Sequence, residues 1–162
     1  MTSFACSTRL APIFAILLAA FSPSLRAQGN TVLTLPAPER LSIKRGAPGV
    51  VKLKAELRTG YHVNSDKPAD EYLIPLKLTW AKEPLQTVQI VYPKPQLEKY
   101  DFSPSPLSVF SGQFEIVTHF KAPPAIAPGP AMMTGKLRYQ ACNNKECLPP
   151  RTAEVTLSVD VQ

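Results

Sequence analysis

Five stretches of this chain alternate apolar and polar residues with a period of two, and no other feature constrains its fold as tightly. In Val51-Lys52-Leu53-Lys54-Ala55-Glu56-Leu57 every odd position is apolar and every even one is charged. Leu76, Leu78 and Trp80 alternate with Lys77 and Thr79, and Phe114, Ile116, Thr118 and Phe120 alternate with Glu115, Val117 and His119. Leu137, Tyr139 and Ala141 alternate with Lys136, Arg138 and Gln140, and Val155, Leu157, Val159 and Val161 with Glu154, Thr156, Ser158 and Asp160. Shorter candidates span residues 31–35, 41–43 and 88–92. One apolar face at period two marks half-buried antiparallel strands. No window sustains the spacing of an amphipathic helix over a dozen residues.

The 18 prolines fit the same picture, because proline punctuates loops and protects strand edges. Pro123-Pro124, Pro128-Gly129-Pro130 and Pro104-Ser105-Pro106 are loop signals. The pattern predicts an all-β, immunoglobulin-like antiparallel β-sandwich, with a small barrel as the alternative. Trp80 and Phe114 have core parity, whereas Phe102, between Asp101 and Ser103-Pro104, falls in a loop.

The N-terminus reads as a secretory signal: Arg9, a short apolar run over residues 10–21, and a small residue, Ala27, before Gln28. That run is too short to cross a bilayer, which needs about 20 residues. Residues 1–27 are therefore expected to be a cleaved signal peptide. Residues 28–162 are expected to form one exported domain with no membrane span. The signal removes Arg9 and Arg26 and no acid, so the net charge of +6 falls to +4. The remaining excess is scattered over Lys44-Arg45, Lys52, Lys54, Lys94, Lys136, Arg138 and Arg151, with no basic stripe interleaved with aromatics. Nucleic-acid binding is not expected.

Of the three cysteines, Cys6 lies in the signal, which leaves one pair in Tyr139-Gln140-Ala141-Cys142-Asn143-Asn144-Lys145-Glu146-Cys147-Leu148-Pro149-Pro150. A domain of 135 residues can build a core without a disulfide. So short a ring would contribute only about 2 kcal/mol. Cys142 shares parity with Lys136, Arg138 and Gln140, which places it on a polar face near solvent. Reactive cysteines occupy partly exposed, electropositive surroundings. Lys145, Arg151 and Arg138 favour the thiolate, and Glu146 opposes it. Spacing alone leaves a structural clip and a redox site both open.

The segment Tyr139-Gln140-Ala141-Cys142 to Cys147-Leu148-Pro149-Pro150 resembles the cysteine segment of the periplasmic N-terminal domain of the DsbD thiol:disulfide interchange proteins. Upstream, Gly60-Tyr61-His62-Val63 is similar to the family's Gly-Tyr-aromatic element after the third strand. Leu97-Glu98-Lys99-Tyr100-Asp101-Phe102 is similar to its cap loop. The resemblance covers roughly residues 50–160 and implies an immunoglobulin-like fold. It further implies a protein-disulfide reductase or interchange component in which Cys147 forms the mixed disulfide and Cys142 resolves it. Phe102, with Tyr100 and Asp101 beside it, would cap the pair, and Tyr61 and Tyr139 would be core or site-lining. The implied partners are thioredoxin-fold or other periplasmic disulfide proteins. Because the chain stops after this domain, a separate membrane protein is expected to supply electrons.

Other chemistries find less support. His62, His119, Met132-Met133 and the cysteines match no usual Cys/His ligand spacing, so neither a metal nor a cofactor is expected. No Ser/His/Asp set, paired carboxylates or phosphate loop suggests a hydrolase. The competing class is an immunoglobulin-like binding or assembly module whose disulfide is only structural.

Overall fold

A computed structural model describes residues 31–162; the signal-peptide expectation lies outside them. Among the described residues, twelve strands form three sheets of four and there is no helix.

The first sheet joins β1 (Leu33–Thr34), β3 (Pro48–Leu57), β9 (Gln113–Lys121) and β6 (Gln86–Val91), in that order. The second joins β2 (Leu41–Ile43), β12 (Arg151–Val161), β10 (Gly129–Tyr139) and β5 (Lys77–Trp80). The pairing is antiparallel except between β12 and β2, which run parallel. Each of the five alternating stretches contributes a strand to these two sheets, and the one that ends at Ala141 runs on into a third. Met132 and Met133 lie within β10, with Met133 buried and Met132 exposed.

The period-two pattern decides which side chains meet. Val51, Leu53, Ala55 and Leu57 of β3, with Ile116 and Phe120 of β9, turn inward from the first sheet. Leu78 and Trp80 of β5, Leu137 of β10, and Val155, Leu157 and Val159 of β12 turn inward from the second. All belong to one continuous core. The fold is thus an immunoglobulin-like β-sandwich.

Trp80 pins the two layers together. Its indole Nε1 donates to Thr118 Oγ1 of the facing sheet at 3.0 Å, and its ring meets Phe120 edge-on at 5.3 Å between centroids. This accounts for a threonine in the apolar row of β9. Thr118 is 1% exposed, and an unmatched buried donor or acceptor there would cost about 1–3 kcal/mol. Gly135 lies opposite Trp80 in the β10–β5 register, and a Cβ on it would lie 2.7 Å from the indole Cε3.

The third sheet, β11 (Ala141–Cys142), β4 (His62–Asn64), β8 (Leu107–Ser111) and β7 (Gln96–Glu98), is built where both layers end. β4 follows the end of β3 through a turn closed by the Tyr61 amide donating to the Arg58 carbonyl at 3.1 Å. Gly60 supplies the left-handed backbone of that turn, at φ 84°. β8 leads into β9, and β11 continues β10. Strands from both layers therefore pair with one another in this small sheet.

Gly135→Ala is expected to force the Trp80 ring off its site and to destabilise the fold by about 1–3 kcal/mol. Urea denaturation measures this directly, and an unchanged midpoint would mean that the ring has room to spare.

Candidate functional site: a disulfide hairpin under an aromatic cap

The cysteine segment takes its geometry from a change of partner. β10 runs beside β12 as far as Tyr139, opposite Arg151; two residues later the chain pairs with β4, with Ala141 opposite Val63 and Cys142 opposite His62. Directly opposed residues of an antiparallel pair project from the same face. Ala141 and Val63 join the main core, while Cys142 and His62 share the other face.

That other face is covered by the cap loop. Cys142 is therefore 1% exposed, which corrects the expectation that strand parity would leave it near solvent. The face that is polar along β10 passes beneath Tyr100 and its neighbours once the strand enters the small sheet. Cys147 is exposed.

Cys142 and Cys147 are bonded as a disulfide, with Cα atoms 3.9 Å apart, and they face each other across a tight hairpin. Hydrogen bonds close the hairpin independently of the sulfurs. The Asn143 amide donates to the Glu146 carbonyl at 2.9 Å, and the Leu148 amide donates to the Ala141 carbonyl at 2.8 Å. Asn143 Oδ1 accepts from the amides of Lys145 and Glu146 at 2.8 and 2.9 Å, the local bonding that makes asparagine a turn former. Gln140 Nε2 donates to the Leu148 carbonyl at 3.1 Å.

Over the hairpin lies the loop that follows β7. The Ser103 amide donates to the Tyr100 carbonyl at 3.0 Å, closing a turn, and Lys99 Nζ reaches back to the carbonyls of Ser103 and Pro104 at 2.7 and 2.6 Å. Three rings stack outward from the sheet: His62 on Tyr100 with centroids 4.1 Å apart, then Tyr100 on Phe102 at 5.5 Å. Tyr100 is buried in a satellite cluster with Leu73, Leu107 and Val109. Phe102 is 44% exposed and lines a small cavity with Cys147, Tyr72, Leu73 and Gln140.

Beneath the stack the polar groups form a row. Ser111 lies opposite His62 on β8, and its Oγ is within hydrogen-bond reach of Gln96 Oε1 at 2.8 Å and of Glu98 Oε1 at 3.2 Å. The Tyr100 hydroxyl makes a short hydrogen bond to Glu98 Oε2. Burial, reinforced by the Glu98 carboxylate, pushes that hydroxyl far above the usual phenol range. Burial holds the His62 imidazole below its ordinary pKa of 6.5, with Glu98 pulling weakly the other way.

Residues 31–159 match the family described as the N-terminal part of the thiol:disulfide interchange protein DsbD. The chain belongs to this family. Among solved structures, similarity extends to the N-terminal periplasmic domain of ScsB from Proteus mirabilis, at 13% identity and a TM-score of 0.48. The alignment covers 79% of this chain but only 44% of the ScsB chain, less than half its length. The seventh ScaB type I cohesin from Pseudobacteroides cellulosolvens aligns at 11% identity over 80% of this chain and 92% of its own, with a TM-score of 0.44. A cohesin module from a Clostridium perfringens family 33 glycoside hydrolase aligns at 7% identity over 80% and 96%, with a TM-score of 0.43. No curated protein matches the sequence significantly.

Within this DsbD-type domain the expected site residues divide into two groups. Cys142, Cys147, Tyr100 and Phe102 come together, with Asp101 exposed on the cap beside them. Tyr61 and Tyr139 pack on the main core instead. Arg58 lies 4.8 Å over the Tyr61 ring, and burial raises the Tyr139 hydroxyl against the opposing pull of Arg151. Two further residues join the first group, His62 and Glu98; the signal for each is its place in a family-like segment, Gly60-Tyr61-His62-Val63 for the one and the cap motif for the other.

The depressed His62 pKa links folding to pH. The unfolded chain binds the proton more readily, so this contribution to stability is full above the unfolded value near 6.5 and is lost as pH falls below it. Thermal unfolding of the parent and of His62→Phe between about pH 7.5 and about pH 5.5, one unit either side of that value, tests this. The parent is expected to lose more stability on acidification than the variant, and parallel curves would contradict the linkage.

Proposed function

We propose that this domain, exported to the periplasm after removal of residues 1–27, carries out thiol–disulfide exchange through Cys147 and Cys142. The unequal exposure of the two sulfurs carries the reading: Cys147 is at the surface and Cys142 is 1% exposed. Exchange proceeds by attack of a thiolate on a disulfide sulfur, and access decides which sulfur takes part.

In the reducing direction the Cys147 thiolate attacks one sulfur of a partner's disulfide, and the other partner sulfur leaves as a thiolate. Cys142 then attacks Cys147 Sγ, closes the internal disulfide and releases the second partner sulfur. Two electrons pass to the partner, and a separate membrane donor restores the dithiol. Family membership supports this chemistry and suggests thioredoxin-fold proteins as partners. Phe102, beside Cys147 in the same cavity, serves as the cap that a docking partner displaces. Because hydrogen bonds already close the hairpin, the disulfide adds little as a clip.

Cys142→Ala, reduced and mixed with an oxidised thioredoxin-fold protein, is expected to accumulate a covalent adduct that the Cys142→Ala/Cys147→Ala double variant does not form. The reduction potential of the parent pair is expected to lie above about −300 mV, the upper bound for inert structural disulfides. No adduct together with a potential below that bound would leave only a clip.

A further inference from the structure

The resolving step described above demands a thiolate from the less favourable of the two cysteines. Cys142 is 1% exposed, so bulk water does not readily reach its sulfur to take the proton. Its proton needs an acceptor inside the covered face. Directly opposite Cys142 on β4, on the same face, is His62. Opposed residues of an antiparallel pair hold their Cβ atoms about 4.5–5.5 Å apart, within reach for an imidazole and a thiol.

His62 is 2% exposed, and no protein group hydrogen-bonds its Nε2. A buried ring nitrogen left unmatched is uncommon enough to require an explanation. The ring is also held in place, stacked on Tyr100 at 4.1 Å and an interplanar angle of 22°. Tyr100 is in turn anchored through its hydroxyl to Glu98. The groups facing the imidazole are thus Cys142 from β11, Ser111 from β8, Glu98 from β7 and the Tyr100 ring from the cap.

We propose that His62 is the base that takes the Cys142 thiol proton when the mixed disulfide is resolved. The proposal rests on the exchange reading above. With its own proton on Nδ1, the neutral ring presents the Nε2 lone pair. The S–H proton moves to Nε2, and the Cys142 thiolate forms a bond to Cys147 Sγ. The bond from Cys147 to the partner breaks, its electron pair leaves with the partner sulfur, and the imidazolium hands the proton to that departing thiolate. Protons and electrons balance without another reactant. Burial keeps the imidazole neutral near pH 7 and so available as a base. Cys147 is exposed and needs no such help for the first attack.

The test uses the reduced full chain and dithiobis(nitrobenzoate), whose two halves report the two steps. Attack by Cys147 releases the first thionitrobenzoate, and resolution by Cys142 releases the second. In His62→Phe, which keeps a ring for Tyr100 to stack on, and in His62→Gln, the first release is expected to match the parent. The second is expected to slow by on the order of 10²-fold, the usual contribution of a positioned base. The parent's second phase is expected to fall off as acid protonates His62, a limb that both variants lack. If the second phase runs at the parent rate in both variants, or if both phases slow together as a loosened cap would cause, His62 is not the base. If the parent itself releases no second equivalent, the exchange reading fails, and this proposal fails with it.

Discussion

The pairing of β11 with β4 is the interaction on which the rest of the site depends. β11 continues a strand of one layer and β4 follows a strand of the other, so two residues per strand stitch the open end of the sandwich. The same pairing sets which way each side chain turns. Ala141 and Val63 face the main core, and Cys142 and His62 face the cap. A shift of register by one residue would exchange the two faces and put the cysteine into the apolar interior. The placement of the sulfur is therefore a property of backbone hydrogen bonding, with the side chain following.

What the sequence made legible, and what it did not, follows from burial. Strands covered on one face write their period into the sequence, as in β3, where Lys52, Lys54 and Glu56 separate Val51, Leu53, Ala55 and Leu57. Three strands of the small sheet escape detection by periodicity, and the fourth, β11, is seen only as the end of the alternation in β10. His62-Val63-Asn64 is buried at every position, because one face meets the main core and the other meets the cap, so no alternation is left to read. β11 is two residues long and buried at both. The error at Cys142 has the same origin: parity carries along a strand only while the strand keeps its neighbours, and here they change at Gln140. The cysteine pair is legible from the cysteine count alone, whereas the cap segment is legible only through likeness to the DsbD family, which records position where periodicity is silent.

The two sulfurs differ in surroundings more than in local charge. Lys145 and Glu146 sit on the exposed turn, where water screens them. The groups that matter for Cys142 are those shut in with it: an imidazole, a carboxylate and a phenol in one connected row, in a region of low dielectric where each influences the others strongly. The molecule thus offers one cysteine to solvent chemistry and the other to a fixed internal environment.

The Lys99 clasp on the cap has a mechanical consequence. One ammonium tied to two carbonyls, inside a turn that also closes on itself, leaves the segment from Lys99 to Pro104 little internal freedom. Tyr100 and Phe102 are then mounted on a single rigid plate. Lifting that plate would part Tyr100 from His62, break its hydrogen bond to Glu98 and withdraw it from Leu73, Leu107 and Val109, while leaving the turn intact. The resistance a visitor meets at the buried sulfur of Cys142 is accordingly that of one phenol held by three kinds of contact at once.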